Sequence, residues 1–356
     1  MSEEPVPVSL KASNVFLDTV VFIEANFNYK SPRCEALARL AADGRIQVFL
    51  TQITLREVKA NLKDLVARAV TKPHPILRNS TSPKVASLFE PLDVRGVQSE
   101  LLRQLKQFLK RAKVTVLPLD PDALTPVLNS YFARRPPFGV GKNKAEFPDA
   151  LALHALEAWC ERERKSIAVV TRDEGVRGAC LEGKPLHHFE DLAQYLNAVA
   201  SEDETLSAFI REQLPKHDKV VFKSAKEAFP NFGCSLTDQD GDVDEIELVD
   251  IDYVDDIEII SLSPDGAIVE MPATLTFTAE ISYYEPGTGS YDSEDGIVMF
   301  QDTVEEKVTR TTDRSIGVEI TFEGLDPDSF EVHGVWFEGS ENIDIESDYD
   351  KDWPHK

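Results

Sequence analysis

Hydrophobic residues in the first 200 positions fall into short runs that alternate with longer amphipathic stretches. The runs are rich in Val, Ile, Leu and Phe, which is typical of strands buried on both faces of a parallel sheet. They are Asn14–Leu17, Ile46–Leu50, Val114–Leu117 and Ile167–Val170. Helical periodicity follows at 33–43, 54–70, 85–112, 121–133, 149–164, 174–182 and 189–200. The alternation predicts an α/β fold in which helices flank a parallel sheet.

A different pattern begins near residue 245, where apolar and polar residues alternate between turn residues. This alternation favours an antiparallel sheet. The predicted strand segments are Glu245–Ile260, Ala267–Met271, Thr274–Tyr284, Ile297–Phe300, Ser315–Phe322 and Phe330–Phe337. We therefore predict an α/β domain over residues 1–200, a helical and acidic linker over 201–244, and an all-β, sandwich-like domain over 245–356. We expect its acidic tail, residues 341–352, to be frayed.

Charge separates the same two regions. The chain of 356 residues carries 38 Lys and Arg against 63 Asp and Glu, a net charge of −25. Residues 1–200 hold 28 basic and 23 acidic residues, whereas residues 201–356 hold 10 and 40. The acidic excess thus belongs to the C-terminal part, and the N-terminal part remains compatible with a nucleic-acid partner.

Several classes of protein are excluded by composition. No run of apolar residues is long enough for a transmembrane helix, and the acidic N-terminus lacks the apolar core of a secretory signal. The four cysteines are far apart and form no CxxC pair, which excludes a disulfide scaffold and argues against structural zinc. We expect a cytoplasmic protein.

Four carboxylates stand at positions that favour chemistry. Asp18 and Asp173 follow predicted strands, while Glu57 and Asp149 lie at the starts of predicted helices. Each also has a local explanation: Asp18 and Asp173 as helix caps, Glu57 as part of a capping box with Thr54, and Asp149 as a partner of the helix dipole. Taken singly, the local explanation is the stronger one for each of them.

The four together indicate more than capping. The carboxyl ends of parallel strands and the starts of the following helices meet at one edge of such a sheet, where ligands bind. Converging carboxylates without His or Cys are typical ligands of Mg²⁺ or Mn²⁺. Ions of this kind activate water for hydrolysis of a phosphodiester.

Residues 12–200 resemble a PIN domain, the metal-dependent nuclease fold of many bacterial toxins and RNA-processing enzymes. The resemblance lies in four acidic motifs in order: Asn14–Thr19, Thr54–Val58, Lys144–Leu151 and Val169–Glu174. It implies an endonuclease that uses Asp18, Glu57, Asp149 and Asp173 as catalytic residues and metal ligands. It further implies RNA rather than DNA as substrate, a role as a toxin or in defence, and pairing into a homo-oligomer.

The sequence departs from the family pattern in two places. The fourth motif often carries a second acid at the position of Gly175, which leaves Glu174 as a substitute or one metal site weak. The interval of 92 residues between Glu57 and Asp149 is also long, and we interpret residues 71–113 as an inserted helical part.

Basic residues cluster beside the third and fourth motifs and favour a phosphate-containing substrate. The candidates for substrate binding are Arg134, Arg135, Lys142, Lys144 and Arg172. A solvated basic loop is the alternative interpretation. Phe138 and Phe147 are candidates for base stacking, although core packing is favoured for Phe147.

The acidic C-terminal domain leaves several functions open. It would promote solubility, dock a basic partner protein, or compete with nucleic acid for the basic cleft. The alternatives for the whole chain are a non-catalytic regulatory or scaffold protein and a structure-specific DNA nuclease. Loss of one of the four acids would have favoured the scaffold, but all four are present.

Overall fold

The chain forms two compact units, Met1–Glu202 and Asp203–Lys356. The structure is a computed structural model, and it describes residues 13–71, 94–138, 146–180, 185–253, 256–285, 288–292, 297–299, 301–338 and 342–349. Among these residues, none of the helices combines the length and the apolar character needed to cross a membrane.

The N-terminal unit contains a five-stranded parallel sheet. In sequence order its strands are β1 (Asn14–Leu17), β2 (Gln47–Thr51), β3 (Thr115–Leu117), β4 (Ile167–Val170) and β5 (Leu186–Phe189). In space the order is β3-β2-β1-β4-β5, and every neighbouring pair is parallel. The predicted parallel sheet is therefore confirmed.

Helices connect these strands. They are α1 (Thr19–Glu24), α2 (Pro32–Ala42), α3 (Gln52–Thr71), α4 (Val94–Arg111), α5 (Leu124–Phe132), α6 (Phe147–Glu163), α7 (Glu174–Ala179) and α8 (Leu192–Ala200). The predicted helix at 85–112 corresponds to α4 from residue 94 onward, and its first residues lie outside the described part of the chain.

The core beneath the candidate site lies between the sheet and α6. Strands β1 and β4 are buried along their whole length, as expected for apolar runs covered on both faces. The rings of Phe49 on β2 and Trp159 on α6 have centroids 4.6 Å apart. Leu153 and Leu156 of α6 belong to the same buried cluster. This packing fixes the start of α6 over the carboxyl edge of the sheet.

The C-terminal unit is built on an antiparallel sheet. Its strands are β7 (Gly241–Tyr253), β8 (Glu258–Ser263), β9 (Gly266–Tyr284), β12 (Thr303–Thr321) and β13 (Glu331–Phe337). In space the order is β13-β12-β9-β7, and β8 also pairs with β9. Strands β9 and β12 pair over their full 19 residues. Short strands β10 (Ser290–Asp292) and β11 (Ile297–Met299) pair with each other. The predicted antiparallel sheet is confirmed.

The segment predicted as a helical and acidic linker contains two helices, α9 (Glu204–Gln213) and α10 (Asp218–Ala228), which belong to the C-terminal unit. Helix α10 contacts β7 and β13. The Phe229 ring that follows α10 lies 5.4 Å from Phe277 of β9 and 5.6 Å from Phe337 of β13. Within the described residues, helices rather than a second large sheet therefore pack on the antiparallel sheet.

The acidic tail also differs from the prediction. Residues 343–345 form β14 (Ile343–Ile345), which pairs in parallel with β6 (Cys234–Leu236). Ile343 is 3% exposed and Ile345 is fully buried. The Arg310 guanidinium also donates to the backbone carbonyl of Glu346 at 3.1 Å. Two buried isoleucines hold this segment in place despite its acidic composition.

Replacing Ile345 with Ala tests this packing. We expect Ile345→Ala to lower the free energy of unfolding of the C-terminal unit by about 2–4 kcal/mol, because a buried Ile loses packing and leaves a cavity. Urea denaturation followed by hydrogen exchange of the β9 peptides measures this unit separately. Val249→Ala, at a 50% exposed position, is the matched control and should change the free energy by less than about 0.5 kcal/mol. Equal effects of the two variants would contradict the structure.

Candidate active site

The strand order creates a crevice at the carboxyl ends of β1 and β4. From β1 the chain proceeds outward to β2 and β3, whereas β4 and β5 extend the sheet on the opposite side. Ligands of open α/β sheets bind at such a switch point. The backbone amide of Asp18 donates to the carbonyl of Val170 at 3.2 Å and so fixes the ends of the two strands against each other.

Asp18 and Asp173 are joined through Thr171, a fully buried residue that follows β4. The Thr171 hydroxyl donates to Asp18 Oδ2 at 2.6 Å and accepts from the backbone amide of Asp173 at 3.1 Å. The other oxygen of Asp18 accepts from the amide of Thr19 at 2.6 Å, and Asp173 Oδ1 accepts from that of Val176 at 2.8 Å. Both acids therefore cap helices and also face the crevice edge.

Glu57 does not form the capping box that its spacing from Thr54 suggested. Helix α3 begins at Gln52, so Glu57 lies beyond its first turn. Its carboxylate instead accepts from the Thr19 hydroxyl at 3.0 Å. Thr54 is buried and bonds to Thr51. Glu57 is thereby connected to the end of β1 and to Asp18.

Asp149 lies in the first turn of α6, directly after Pro148. Its carboxylate forms a group with those of Glu146 and Asp173, in which one oxygen from each lies within 4.8 Å of the others. Glu146 occupies the N-cap position of α6 but makes no side-chain capping bond. Glu146 was not among the predicted site residues. In the sequence, its position three residues before Asp149 is the feature that could have indicated a role in the site.

The electrostatics show that these acids share one environment. Burial, followed by the charges of the neighbouring acids, raises the pKa of Asp149 to about 7. The acids that contribute are, in decreasing order, Asp18, Asp173, Glu57 and Glu146. Burial also raises the pKa of Asp18 and of Glu57, although hydrogen bonds from Thr171 and Thr19 oppose the increase. The structure thus brings the four predicted acids and Glu146 to one place.

Gly175, where the family pattern often has an acid, has no room for a side chain. A Cβ there would lie 2.9 Å from the carbonyl oxygen of Pro137 and 3.0 Å from Asp173 Oδ1. Glu174, the predicted substitute, is not part of the carboxylate group found among the described residues. Glu146 is the additional acid in its place.

The predicted substrate-binding cations have different positions. Arg134 and Arg135 follow α5 and are exposed. Lys142 and Lys144 lie outside the described residues. Arg172 forms ion pairs with Glu24 at 2.9 Å and with Asp191 at 3.1 Å. Its role in substrate binding stays a prediction, and both ion pairs lie at a half-exposed guanidinium.

The aromatic residues near this loop pack together. Phe138 is 2% exposed, and its ring lies 5.1 Å from Phe147 and 5.4 Å from Tyr131. The prediction that Phe138 stacks on bases is thus wrong, while core packing of Phe147 agrees with the structure. Phe132, at 77% exposure, is an aromatic ring of this segment that faces solvent.

The raised pKa of Asp149 predicts a pH-dependent stability. Because the pKa in the folded state is above the ordinary value of 3.8 for an aspartate, folding favours the protonated carboxyl, and this contribution is lost as the pH rises from about 4 through about 7. In EDTA at pH 8, Asp149→Asn should therefore stabilise the N-terminal unit, by about 1–2 kcal/mol after allowance for solvent screening. The gain should shrink at pH 5.

Thermal unfolding at the two pH values measures this effect. Asp64→Asn, at an exposed acid of α3, is the control and should give a small change that is the same at both values. A destabilised Asp149→Asn protein at pH 8 would show that the charges of the cluster do not repel one another as described.

Residues 15–175 match the family model described as PIN domain. No curated protein and no solved structure matches the chain at a significant level. The matched region contains the five-stranded sheet up to β4, both acids at its switch point, and the starts of α3 and α6. Proteins of this family are generally nucleases. The N-terminal unit of the protein is therefore a PIN domain, a member of a nuclease family.

Proposed function

We propose that the protein is a metal-dependent endonuclease that hydrolyses phosphodiester bonds, with RNA as its substrate. The observation that carries the proposal is the group of Glu146, Asp149 and Asp173, whose carboxylate oxygens lie within 4.8 Å of one another. Asp18 and Glu57 add their charges to the same group. Among the basic residues, Arg134 and Arg135 are exposed near the start of α6 and would hold the phosphate backbone.

The donor set fits a hard divalent cation. All its ligands are carboxylate oxygens, which Mg²⁺ and Mn²⁺ prefer. The repulsion that raises the pKa of Asp149 is the repulsion that a cation would relieve. Asp149, Asp173 and Glu146 would hold it, with Asp18 and Glu57 at the edge. Such a cation lowers the pKa of a bound water and neutralises charge on a phosphodiester.

The chain's own residues would orient these carboxylates. Thr171 holds Asp18 and the Asp173 amide, and Thr19 holds Glu57. Hydrogen bonds from such partners commonly decide how well a metal site performs. Repulsion between the carboxylates favours movement of Asp149 away from the other acids. The packed core beneath α6 opposes this movement.

The finer parts of the proposal rest on the family resemblance. RNA rather than DNA, and a role as a toxin or in defence, are implied by the resemblance alone. A structure-specific DNA nuclease remains the alternative enzyme. Growth arrest on expression of the protein, absent for Asp149→Asn, would support the toxin role. Growth unaffected by an active enzyme would contradict it.

Cleavage of labelled single-stranded RNA and DNA tests the proposed activity. We expect RNA to be cut with Mn²⁺ or Mg²⁺ and not with EDTA. Asp149→Asn should reduce the cleavage rate by about 100-fold or more. Loss of a residue that only hydrogen-bonds to a metal ligand commonly lowers activity by about 10–100-fold, and loss of the ligand itself should lower it at least as much. Asp64→Asn, on the exposed face of α3, should cut as the native protein does. Cleavage that persists in Asp149→Asn or in EDTA would exclude the proposed site.

Thr171 is expected to position the site, and its hydroxyl can be tested directly. Thr171→Val keeps the size of this buried side chain but removes its bonds to Asp18 and Asp173. We expect kcat and the apparent affinity for Mn²⁺ to fall by about 10–100-fold. Thr171→Ser should restore most of both, since it restores the hydroxyl. Equal losses in both variants would indicate a packing role only.

A further inference from the structure

Phe132, the last residue of α5, exposes an aromatic ring to solvent. Its side chain is 77% exposed, the highest value among the large apolar residues whose burial is described. Every other phenylalanine whose burial is described is at least partly buried. One exposed apolar residue is common on a protein surface and by itself indicates nothing. The residues around Phe132 give its exposure a meaning.

A row of three aromatic rings connects Phe132 with the helix that carries Asp149. The Tyr131 ring lies 5.2 Å from that of Phe132 and 5.2 Å from that of Phe147. Phe147 is the first residue of α6, and Asp149 is the third. Phe138 packs on the two inner rings of the row. Packed neighbours therefore hold the outer ring at the same end of α6 as the acid group, while its own surface stays open.

Two arginines follow Phe132 at the end of α5. The backbone amides of Arg134 and Arg135 donate to the carbonyls of Tyr131 at 3.2 Å and Ser130 at 3.0 Å, and these bonds fold the chain back against the helix end. Both arginine side chains are exposed, and neither forms an ion pair with a described residue. Two positive charges thus lie beside an open aromatic ring, the combination with which proteins hold single-stranded nucleic acid.

The turn after these arginines leads directly to the carboxylates. The Pro137 carbonyl oxygen lies 2.9 Å, and Asp173 Oδ1 3.0 Å, from the point where a Cβ of Gly175 would stand. The turn therefore borders Asp173 and continues from Arg135. A strand with one phosphate at the acid group has its neighbouring phosphates and bases within reach of Arg135 and Phe132.

We propose that Phe132 is a stacking platform for an unpaired base of the substrate, with Arg134 and Arg135 holding the phosphates next to that base. The inference rests on the proposed nuclease function, and it names the substrate class as single-stranded nucleic acid. A base in a duplex has both faces covered by its neighbours, whereas an unpaired base can turn one face onto a ring of the protein. Because every base has a π-face, the platform binds all four bases with similar affinity.

A second copy of the chain is the other occupant that an exposed ring could have. In a two-fold symmetric contact the same patch faces itself, so Arg134 and Arg135 of each copy would approach those of the other. Since neither arginine pairs with a described acid, these like charges would oppose the contact. The charge of the patch therefore favours a polyanionic strand over a second copy.

Binding of short labelled RNA to the full chain in EDTA tests the platform without any cleavage. We expect Phe132→Ala to weaken binding of a single strand about tenfold, the effect of one stacked base, and to leave binding of the matching duplex unchanged. Phe132→Trp should retain the native affinity. The single strand should quench the added indole fluorescence beyond the change seen in the native protein with its own three tryptophans. Leu124→Ala, at the 61% exposed residue that opens α5, is the matched control and should bind as the native protein does.

Salt dependence and kinetics test the same contacts in two further ways. Arg134→Gln and Arg135→Gln should each reduce the slope of log affinity against log salt concentration by about 0.7, the value for one phosphate contact of a single strand. During cleavage with Mn²⁺, Phe132→Ala should raise KM about tenfold at an unchanged kcat, since the stacked base is bound equally in the substrate complex and the transition state. A general loss of stability would not produce either change.

The outcomes separate the platform from the nuclease. Single-strand binding that depends on Phe132, together with metal-dependent cleavage, supports both. The same binding without cleavage supports the platform and overturns the nuclease. Cleavage with equal single-strand affinities of the native, Phe132→Ala and Leu124→Ala proteins overturns the platform and leaves the nuclease in place, as does a native protein that binds no single strand. A native dimer that Phe132→Ala converts to a monomer, at unchanged affinity for RNA, assigns the ring to a second copy and also overturns the platform.

Discussion

Repulsion between carboxylates at one edge of the parallel sheet is the constraint on which the N-terminal unit depends. The strand order makes β1 and β4 neighbours, and the bond from the Asp18 amide to Val170 leaves Asp18 no freedom to move away from the residues after β4. The buried contacts of Phe49 with Trp159 hold α6, and with it Asp149, at the same edge. Hydrophobic packing thus maintains an arrangement of charges that electrostatics alone opposes.

The fold tolerates this charge because it directs hydrogen-bond donors to Asp18, Glu57 and Asp173. Asp18 and Asp173 accept from the free amides at the starts of α1 and α7, and Asp149 lies at the positive end of α6. Thr19 and Thr171 add hydroxyl donors. Capping and function are therefore not competing explanations for these residues. The donors that cap α1 and α7 also offset part of the repulsion among the acids.

The elements that the sequence predicts well are those in which local pattern and burial agree. The apolar runs of β1 and β4 match the structure because both strands are covered on both faces. The first half of β12 was not predicted, since only Val308 is buried between residues 303 and 314 and the half pairs with β9 alone. Charged residues are common on such an exposed strand edge, but they obscure the alternation of apolar and polar residues that marks a strand. The segments 267–271 and 274–284 were likewise predicted as separate strands, although β9 continues through Pro272 between them.

The site residues divide in the same way. Acids that follow an apolar run or open a helix are visible in the sequence, because their position relative to the sheet is implied by the element. Thr171 was not visible, since its importance lies in a bond to a residue 153 positions away. Glu146 was not visible either, because it occupies the N-cap position of α6 without making a capping bond, so no local pattern marks it. Only the tertiary structure determines which polar side chains face one another.

The missing acid at Gly175 shows why spacing alone is a poor guide to a carboxylate site. A side chain there would collide with the Pro137 carbonyl, so an aspartate at this position requires a different path for the turn. Glu146, at the N-cap of α6, supplies an additional acid to the group of Asp149 and Asp173. A cation would respond to the positions of oxygens and not to the helix that supplies them, so the departure from the motif does not by itself imply a weaker site.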